Sequence, residues 1–437
     1  MTSSAPVSLR TEVLAGVTTF MTMAYIIFVN AQILGGAVDI GPGTQSALVT
    51  ATCLAAAIPS ILMGLVARLP VALAPGMGMN AFFVSVCISM GVDWRHALGA
   101  VFVFGALFLV LTVLGLRQVL VRALPRPLLT GIAAGIGLFL AYIGLRNGGL
   151  ITLAPFPEGA PLMTQLGPLR SPDLWVTLFG LLAIGALLAR RVPGAILWGI
   201  LLAAGFHHAV QLLRGEGLPE IGRLVSLPSF ALFGALDVRG VLRPELFEVL
   251  IVLLYLDMFD SIGTLMAVSK EGDLLDAKGE LPQLNRALFV DAFGSSFGAV
   301  AGTSTVTSYI ESASGIAAGG RTGLTAIVVG LLFLAGMFFA PVAGLIPACA
   351  TAPALIVIGV MMLRPVCDLD WSDWATLIPA FLVILMTALT NAINIGIAFG
   401  FVTYPLLMLL AGRGRQVSPL VYLLGALFVL RYVFISS

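Results

Sequence analysis

The sequence predicts an all-α protein that crosses a membrane many times. Of its 437 residues, 59% are hydrophobic and 10% are charged, whereas a soluble globular domain averages about 45–50% apolar and about 25% charged residues. The mean hydropathy is +1.08. The 49 glycines are also typical of membrane helices, which use small residues to pack closely. A surface that faces lipid carries little charge, so this composition indicates an apolar exterior.

The apolar runs along the chain predict the number of spans. A helix needs about 20 apolar residues to cross the hydrocarbon core of a bilayer. Fourteen segments reach or approach this length, and a further apolar stretch at 417–435 could span the membrane or lie along its interface. Segments 1 to 14 cover 13–34, 47–67, 71–89, 97–116, 125–145, 172–190, 194–213, 246–268, 284–301, 309–319, 323–343, 352–363, 374–390 and 392–411.

The distribution of charge predicts the orientation. The 22 basic and 21 acidic residues nearly cancel, so the chain offers no basic face for nucleic acid. Most arginines and lysines fall in loops that are internal if the N-terminus is internal. The remaining ones lie mainly in two long connections at 146–171 and 214–245, where basic residues have little influence on topology. We therefore expect a cytoplasmic N-terminus, and the small loops favour a bacterial inner membrane.

Two segments at matching places in the two halves are interrupted. Segment 3 opens with Ala74-Pro-Gly-Met-Gly-Met-Asn80, and segment 10 follows the β-branched and hydroxylated run Thr303-Ser-Thr-Val-Thr-Ser308. Such runs favour extended backbone, and broken segments in corresponding positions indicate a transporter binding site. The sequence predicts an inverted 7+7 repeat in which segments 3 and 10 are half-helices preceded by short strands, with their N-termini directed at the ligand.

Acidic residues inside apolar segments are the strongest candidates for function. Asp257 and Asp260 lie three residues apart in segment 8, Glu311 begins the short helix of segment 10, and Asp291 lies in segment 9. A charge at the membrane centre costs about 2.5–3.5 kcal/mol even on the lenient insertion scale. Each acid also has a structural explanation, either a hydrogen-bonded core position or, for Glu311, a helix cap. Two close carboxylates resist ionising together, so one of them can carry a proton near neutral pH.

Other polar residues are weaker candidates. Asn80 has amide donors and acceptors that suit a heterocycle, although it could equally cap a short helix. Gly76 and Gly78 allow the backbone to approach a ligand closely. Neither a disulfide nor a metal site is expected, because the four cysteines form no C-x-x-C pair and the three histidines are distant from them in sequence.

Four runs resemble a known family. These are Arg10-Thr-Glu-Val-Leu-Ala-Gly-Val-Thr-Thr-Phe-Met-Thr-Met-Ala-Tyr25, Ala74-Pro-Gly-Met-Gly-Met-Asn-Ala-Phe-Phe83, Phe259-Asp-Ser-Ile-Gly-Thr264 and Thr303-Ser-Thr-Val-Thr-Ser-Tyr-Ile-Glu-Ser-Ala-Ser-Gly315. They are similar to the AzgA-like purine permeases of the nucleobase/ascorbate transporter superfamily. The resemblance implies a proton symporter for guanine, hypoxanthine or adenine, without cofactor or enzymatic activity. A homodimer that works by an elevator movement in the lipid bilayer is the family expectation.

The same resemblance implies two domains. A core domain would comprise 12–118 and 246–343, and a gate domain 124–213 and 345–437. Matched position by position, Asp260 and Glu311 would bind the base, together with Gly78, Met79 and Asn80 of segment 3. Phe259 or Tyr309 could stack on the ring. Asp257, Asp260 and Glu311 are the candidates for the proton, because Thr264 stands where uracil and xanthine members place an ionisable residue.

The residues argue against several rival functions. An inorganic-anion transporter would require a basic residue or only N–H groups in its site, and the acids argue against it. A channel would need a continuous polar pore. A membrane enzyme could use the acidic pair as metal ligands, but no histidine lies near them in sequence and no helical motif has metal-ligand spacing.

Overall fold

The computed structural model of the protein describes residues 8–114, 125–154, 163–215, 224–242, 244–276, 280–390 and 392–434. Each of the fourteen predicted segments recurs there as a helix or as a strand followed by a short helix. Ten helices in these ranges are long and apolar enough to cross a membrane. The prediction of an all-α membrane protein is therefore confirmed.

The first seven segments consist of eight helices, one π-helical turn and one strand. They run Leu9–Met23 with Ile26–Leu34, Thr44–Leu62 with the π-helical turn Met63–Ala67, strand Leu73–Pro75 with helix Met77–Ser89, Trp94–Val113, Arg126–Asn147, Pro172–Ala189 and Ala195–Leu213. The connection between segments 5 and 6 contains a hairpin of strands Ile151–Ala154 and Met163–Leu166. Residue 118, the predicted end of one core-domain half, and residue 124, the predicted start of a gate-domain half, both lie outside the described residues.

The second seven segments follow the same order. They run Pro244–Glu271, Leu284–Ala301, strand Val306–Ser308 with helix Ser312–Ala317, Gly323–Gly336 with the short turns Met337–Phe339 and Ala340–Gly344, Ala348–Leu363, Trp374–Thr390 and Ile393–Leu410. Three further 3-10 turns, Val238–Leu242, Arg364–Asp368 and Gly414–Gln416, lie in connections. The stretch at 417–435 forms helix Pro419–Phe434, whose 16 residues give about 24 Å, less than the roughly 30 Å of a hydrocarbon core.

The two interrupted segments meet at a strand pair inside the protein. Leu73–Pro75 and Val306–Ser308 pair antiparallel, with Ala74 opposite Thr307, and both strands are completely buried. Buried backbone at membrane depth must find hydrogen-bond partners within the protein, and this ladder supplies them. An antiparallel pair relates its two strands by an approximate two-fold axis, as the inverted repeat requires. The prediction of strand-led half-helices is confirmed.

The helices pack in two groups around this pair. Segments 1 to 4 pack with segments 8 to 11, and segments 5 to 7 pack with segments 12 to 14. In the second group Gly137 of segment 5 faces Gly359 of segment 12, and the helices pack so tightly there that a Cβ on Gly359 would collide with the Gly137 carbonyl. The two groups meet chiefly through segments 1, 3 and 8 of the first group.

One buried acid stabilises the fold. Glu12 in segment 1 is almost fully buried, and its Oε1 accepts hydrogen bonds from the backbone N–H groups of Arg321 and Thr322 at 2.9 and 3.0 Å. Its Oε2 accepts one from the Thr325 hydroxyl at 2.6 Å. These groups begin segment 11, so Glu12 joins two distant segments and complements the positive end of a helix. The Arg321 guanidinium donates to the carbonyls of Ile316 and Gly320, at the C-terminal end of the short helix.

Candidate functional site

Asp260 lies where segment 8 passes the strand pair. Its carboxylate accepts a hydrogen bond at 3.2 Å from the hydroxyl of Thr307, the middle residue of the second strand. The Asp260 side chain is exposed, whereas Asp257 and Met258 of the same helix are buried. Strand pairing thus fixes Thr307, and Thr307 in turn orients one carboxylate oxygen of Asp260.

Glu311 occupies the N-cap position of the half-helix Ser312–Ala317. The Tyr25 hydroxyl donates a hydrogen bond of 2.7 Å to Glu311 Oε1, and Tyr25 is itself buried. The Glu311 side chain is half-buried, and Glu311 follows four residues after Thr307, the hydrogen-bond partner of Asp260. Two acids from two different segments therefore converge beside the strand pair.

A cavity of about 360 Å³ opens beside Asp260. Its volume falls within the range of about 300–1,000 Å³ typical of small-molecule sites. Segments 3 and 8 contribute one wall and segments 5 and 12 the other. The lining residues are Gly78, Met79, Leu129, Thr130, Ala133, Ile136, Leu256, Asp260, Gly263, Thr264, Met362 and Pro365. The cavity combines mainly apolar walls with one carboxylate and two hydroxyl groups.

Gly78 allows the two walls of this cavity to approach each other. A Cβ at Gly78 would lie 3.2 Å from Met362 Cε and 3.3 Å from Ile136 Cγ2, which is tighter than ordinary van der Waals contact. The half-helix of segment 3 therefore approaches segments 5 and 12 more closely than a larger residue would allow. Met79, the next residue, lines the same cavity.

Asn80 and Tyr309 support the strand pair rather than line this cavity. Asn80 is buried within Met77–Ser89 and accepts a hydrogen bond from the Ser304 hydroxyl. The N-cap of that helix is Gly76, so the capping role considered for Asn80 is not what the structure shows. The Tyr309 hydroxyl donates to the Pro75 carbonyl at 2.6 Å, which links the ends of the two strands.

The remaining predicted residues have different surroundings. Asp257 is completely buried, whereas Asp260 faces the cavity, so the two carboxylates of segment 8 occupy different environments. Asp291 is buried and accepts a hydrogen bond of 3.2 Å from the Ser308 backbone N–H, which anchors the second strand. The side chain of Phe259 lies outside the part of the chain that the structure describes.

Sequence reasoning missed two features of the site. Tyr25 lies 286 positions from Glu311 in the chain. Nothing in the run from Arg10 to Tyr25 predicted that these two residues would be in contact. Thr130 contributes a hydroxyl from segment 5 to the cavity. A polar residue within an apolar segment was the available signal for Thr130, but such residues more often bond their own backbone.

Residues 10–390 match the model of the Permease family, Xan_ur_permease. The match covers most of the chain, including both half-helices and every residue that lines the cavity. The chain belongs to this permease family. It is thus a membrane transporter and not an enzyme, as the sequence predicted.

Similar proteins agree with this assignment. The permease is 42% identical to the adenine permease AdeP of Escherichia coli over 98% of this chain and 94% of that protein. It is 39% identical to the guanine/hypoxanthine permease PbuG of Bacillus subtilis over 98% and 97% of the two chains. The transmembrane domain of the cyanobacterial bicarbonate transporter BicA superposes with a TM-score of 0.63 at 18% identity, covering 89% and 97% of the chains. That likeness shows the fold.

Proposed function

We propose that this permease imports purine nucleobases, namely guanine, hypoxanthine and/or adenine, together with protons. The observation that carries the proposal is the cavity in which Asp260 is exposed beside the half-helix that begins at Glu311. The substrates named for the relatives AdeP and PbuG are purines. Carboxylates at this position suit a neutral, N–H-rich heterocycle.

The chemistry of the site fits a purine in detail. Purines carry ring and exocyclic N–H donors that carboxylate oxygens can accept, and such charge-assisted hydrogen bonds are stronger than neutral ones. Asp260 and Glu311 act as the acceptors, each oriented by a hydroxyl, Thr307 for one and Tyr25 for the other. Met79 and the other apolar cavity walls contact the faces of the ring. Asn80 acts indirectly, through Ser304 and the strand pair.

Proton coupling follows from the cost of burying charge. An ionised carboxylate is far more costly to bury than a neutral carboxyl group, so a proton on one acid lowers the barrier to moving the loaded site. Asp260 contacts Thr307, four residues before Glu311, and Asp257 lies three residues before Asp260 in the same helix. We assign the coupling proton to this group of three acids, with Asp260 as the residue that touches both substrate and solvent.

An elevator movement accounts for the two walls of the cavity. Segments 1–4 and 8–11 act as the moving core domain and segments 5–7 and 12–14 as the stationary gate domain. The cavity touches Met362 near one end of segment 12. At the other end of that helix, about 16 Å away, the Thr351 hydroxyl donates to the Gln32 side-chain carbonyl of segment 1. The cavity and this polar contact thus lie at opposite ends of segment 12, where a movement of one domain against the other would change both.

The anion transporter remains the rival from the same fold, because BicA carries bicarbonate. A bicarbonate or chloride ion would face the Asp260 carboxylate directly, and like charges repel. The acidic cavity therefore favours a neutral base. We further propose a homodimer in a bacterial inner membrane with the N-terminus in the cytoplasm, in line with the distribution of basic residues.

Uptake into proteoliposomes tests the substrate and the coupling together. Labelled adenine, guanine or hypoxanthine should accumulate when the lumen is alkaline, and an uncoupler should abolish accumulation. Competition with the unlabelled purines, xanthine, uracil and bicarbonate ranks the substrates. Bicarbonate uptake without purine uptake would overturn the purine assignment, whereas purine accumulation that follows a sodium gradient alone would overturn only the proton coupling.

Crosslinking tests the elevator movement. Gln32→Cys and Thr351→Cys, introduced after the four native cysteines are replaced by serine, place one thiol on each domain. Joining them with a short reducible crosslinker should stop purine uptake, and reduction should restore it. Either single variant treated with the same reagent is the control. Full uptake by the crosslinked double variant would refute a movement between these two groups of helices.

A further inference from the structure

Three potential metal ligands converge at a place remote from the purine cavity. Cys349 begins segment 12, His207 lies near the end of segment 7, and Asp173 lies at the start of segment 6. Their ligand atoms all lie within 4.8 Å of one another. No metal site was expected from the sequence because the histidines are far from the cysteines along the chain, but folding brings His207 beside Cys349, 142 positions away.

The distances fit a tetrahedral ion. Cys349 Sγ lies 3.5 Å from His207 Nδ1, and that nitrogen lies 3.8 Å from Asp173 Oδ1. Around Zn²⁺ with ordinary bond lengths, a sulfur and a nitrogen ligand are about 3.6 Å apart and a nitrogen and an oxygen ligand about 3.4 Å. The sulfur–nitrogen distance therefore already fits such an ion, and the nitrogen–oxygen distance exceeds the expected value by about 0.4 Å.

The shared nitrogen distinguishes a metal site from a catalytic triad. In a nucleophile–histidine–acid triad the two ring nitrogens have separate partners, one facing the nucleophile and the other the acid. Here the same Nδ1 faces both Cys349 and Asp173. Three potential ligand atoms close to one another, with one ring nitrogen shared between the other two, are an arrangement that a cation can occupy.

The surroundings allow an ion to enter and hold the ligands in place. The side chain of Asp173 is 53% exposed and that of His207 16% exposed, whereas Cys349 is buried. The Thr177 hydroxyl donates to the Cys349 backbone carbonyl at 3.0 Å. The His208 ring packs edge-on against His207, and its Nε2 lies 2.8 Å from the Leu345 carbonyl oxygen.

We propose that Asp173, His207 and Cys349 bind one divalent transition-metal ion of the Zn²⁺ class, with the fourth position open to water. A thiolate and an imidazole select such ions over Mg²⁺ or Ca²⁺. The thiol releases its proton on binding, as metal ligation by cysteine requires. Because the ligands come from segments 6, 7 and 12, the ion ties together three helices and stabilises their folded arrangement.

Co²⁺ titration of the purified, chelator-stripped protein tests the site directly. A thiolate-to-cobalt charge-transfer absorption should appear and saturate at one ion per chain, and Zn²⁺ should displace it. Cys349→Ser should abolish the band, and His207→Asn should weaken Co²⁺ binding at least tenfold. Zn²⁺ should also raise the midpoint of thermal unfolding of the native protein but not that of Cys349→Ser.

Two matched controls separate this site from other cysteines and histidines. Cys367 is exposed and lies outside the cluster, and His96 pairs with Asp237 at 3.4 Å, so Cys367→Ser and His96→Gln should keep the band unchanged. Retained purine binding shows that the variants are folded. A native protein without the band, or a band that persists in Cys349→Ser, would overturn the proposal.

Discussion

Glu311→Gln tests the substrate site with the smallest possible change. Glutamine keeps the size of the side chain, and its carbonyl can still accept the 2.7 Å hydrogen bond from the Tyr25 hydroxyl. The substitution therefore removes a charge and one acceptor oxygen while preserving the local packing. A hydrogen bond to a charged group contributes about 1.5–3 kcal/mol, so purine affinity should fall roughly ten- to a hundredfold.

Glu12→Gln is the matched control, because it makes the same chemical change at another glutamate that accepts hydrogen bonds inside the protein. Glu12 accepts hydrogen bonds from Arg321, Thr322 and Thr325 at the start of segment 11. Its loss should lower the midpoint of thermal unfolding while purine affinity stays within about twofold of the native value. Glu311→Gln should lower purine affinity and leave the midpoint of thermal unfolding close to the native value.

Equilibrium binding of labelled purine to purified protein, measured beside thermal unfolding in the same detergent, gives both quantities. The reasoning would be refuted if Glu311→Gln bound purine as tightly as the native protein. It would equally be refuted if Glu12→Gln lost purine affinity to the same extent while remaining folded. The loss of affinity would then not be specific to the carboxylate of Glu311.

Further changes probe the coupling, the orientation of Asp260 and the packing. Asp260→Asn should lose concentrative purine uptake, and any purine exchange that it still catalyses should no longer depend on pH. Proton-driven accumulation by this variant would contradict the role of Asp260 in coupling. Thr307→Val removes the hydroxyl that orients Asp260 and should weaken purine binding several-fold, whereas Thr307→Ser should retain it; equal affinities would remove Thr307 from the site. Gly359→Ala should destabilise the protein because its Cβ collides with segment 5, while Gly185→Ala, where a Cβ meets open space, should leave thermal unfolding unchanged.

The sequence determined the elements that depend on local composition. Contact with lipid requires long apolar runs, and these can be read along the chain, so all fourteen segments were found close to their structural bounds. The strands were predictable because Pro75 and the β-branched run ending at Ser308 both disfavour helix. Asp260 and Glu311 were conspicuous because an acid inside an apolar segment is costly unless it has a function.

Tertiary structure alone decided which of these residues meet. The 2.7 Å hydrogen bond from Tyr25 to Glu311 and the division between exposed Asp260 and buried Asp257 depend on the packing of helices that are distant in the chain. The convergence of Cys349, His207 and Asp173 has the same origin. Spacing along a helix specifies which residues share a face, but the partner that covers the face is fixed only when the other segments pack against it.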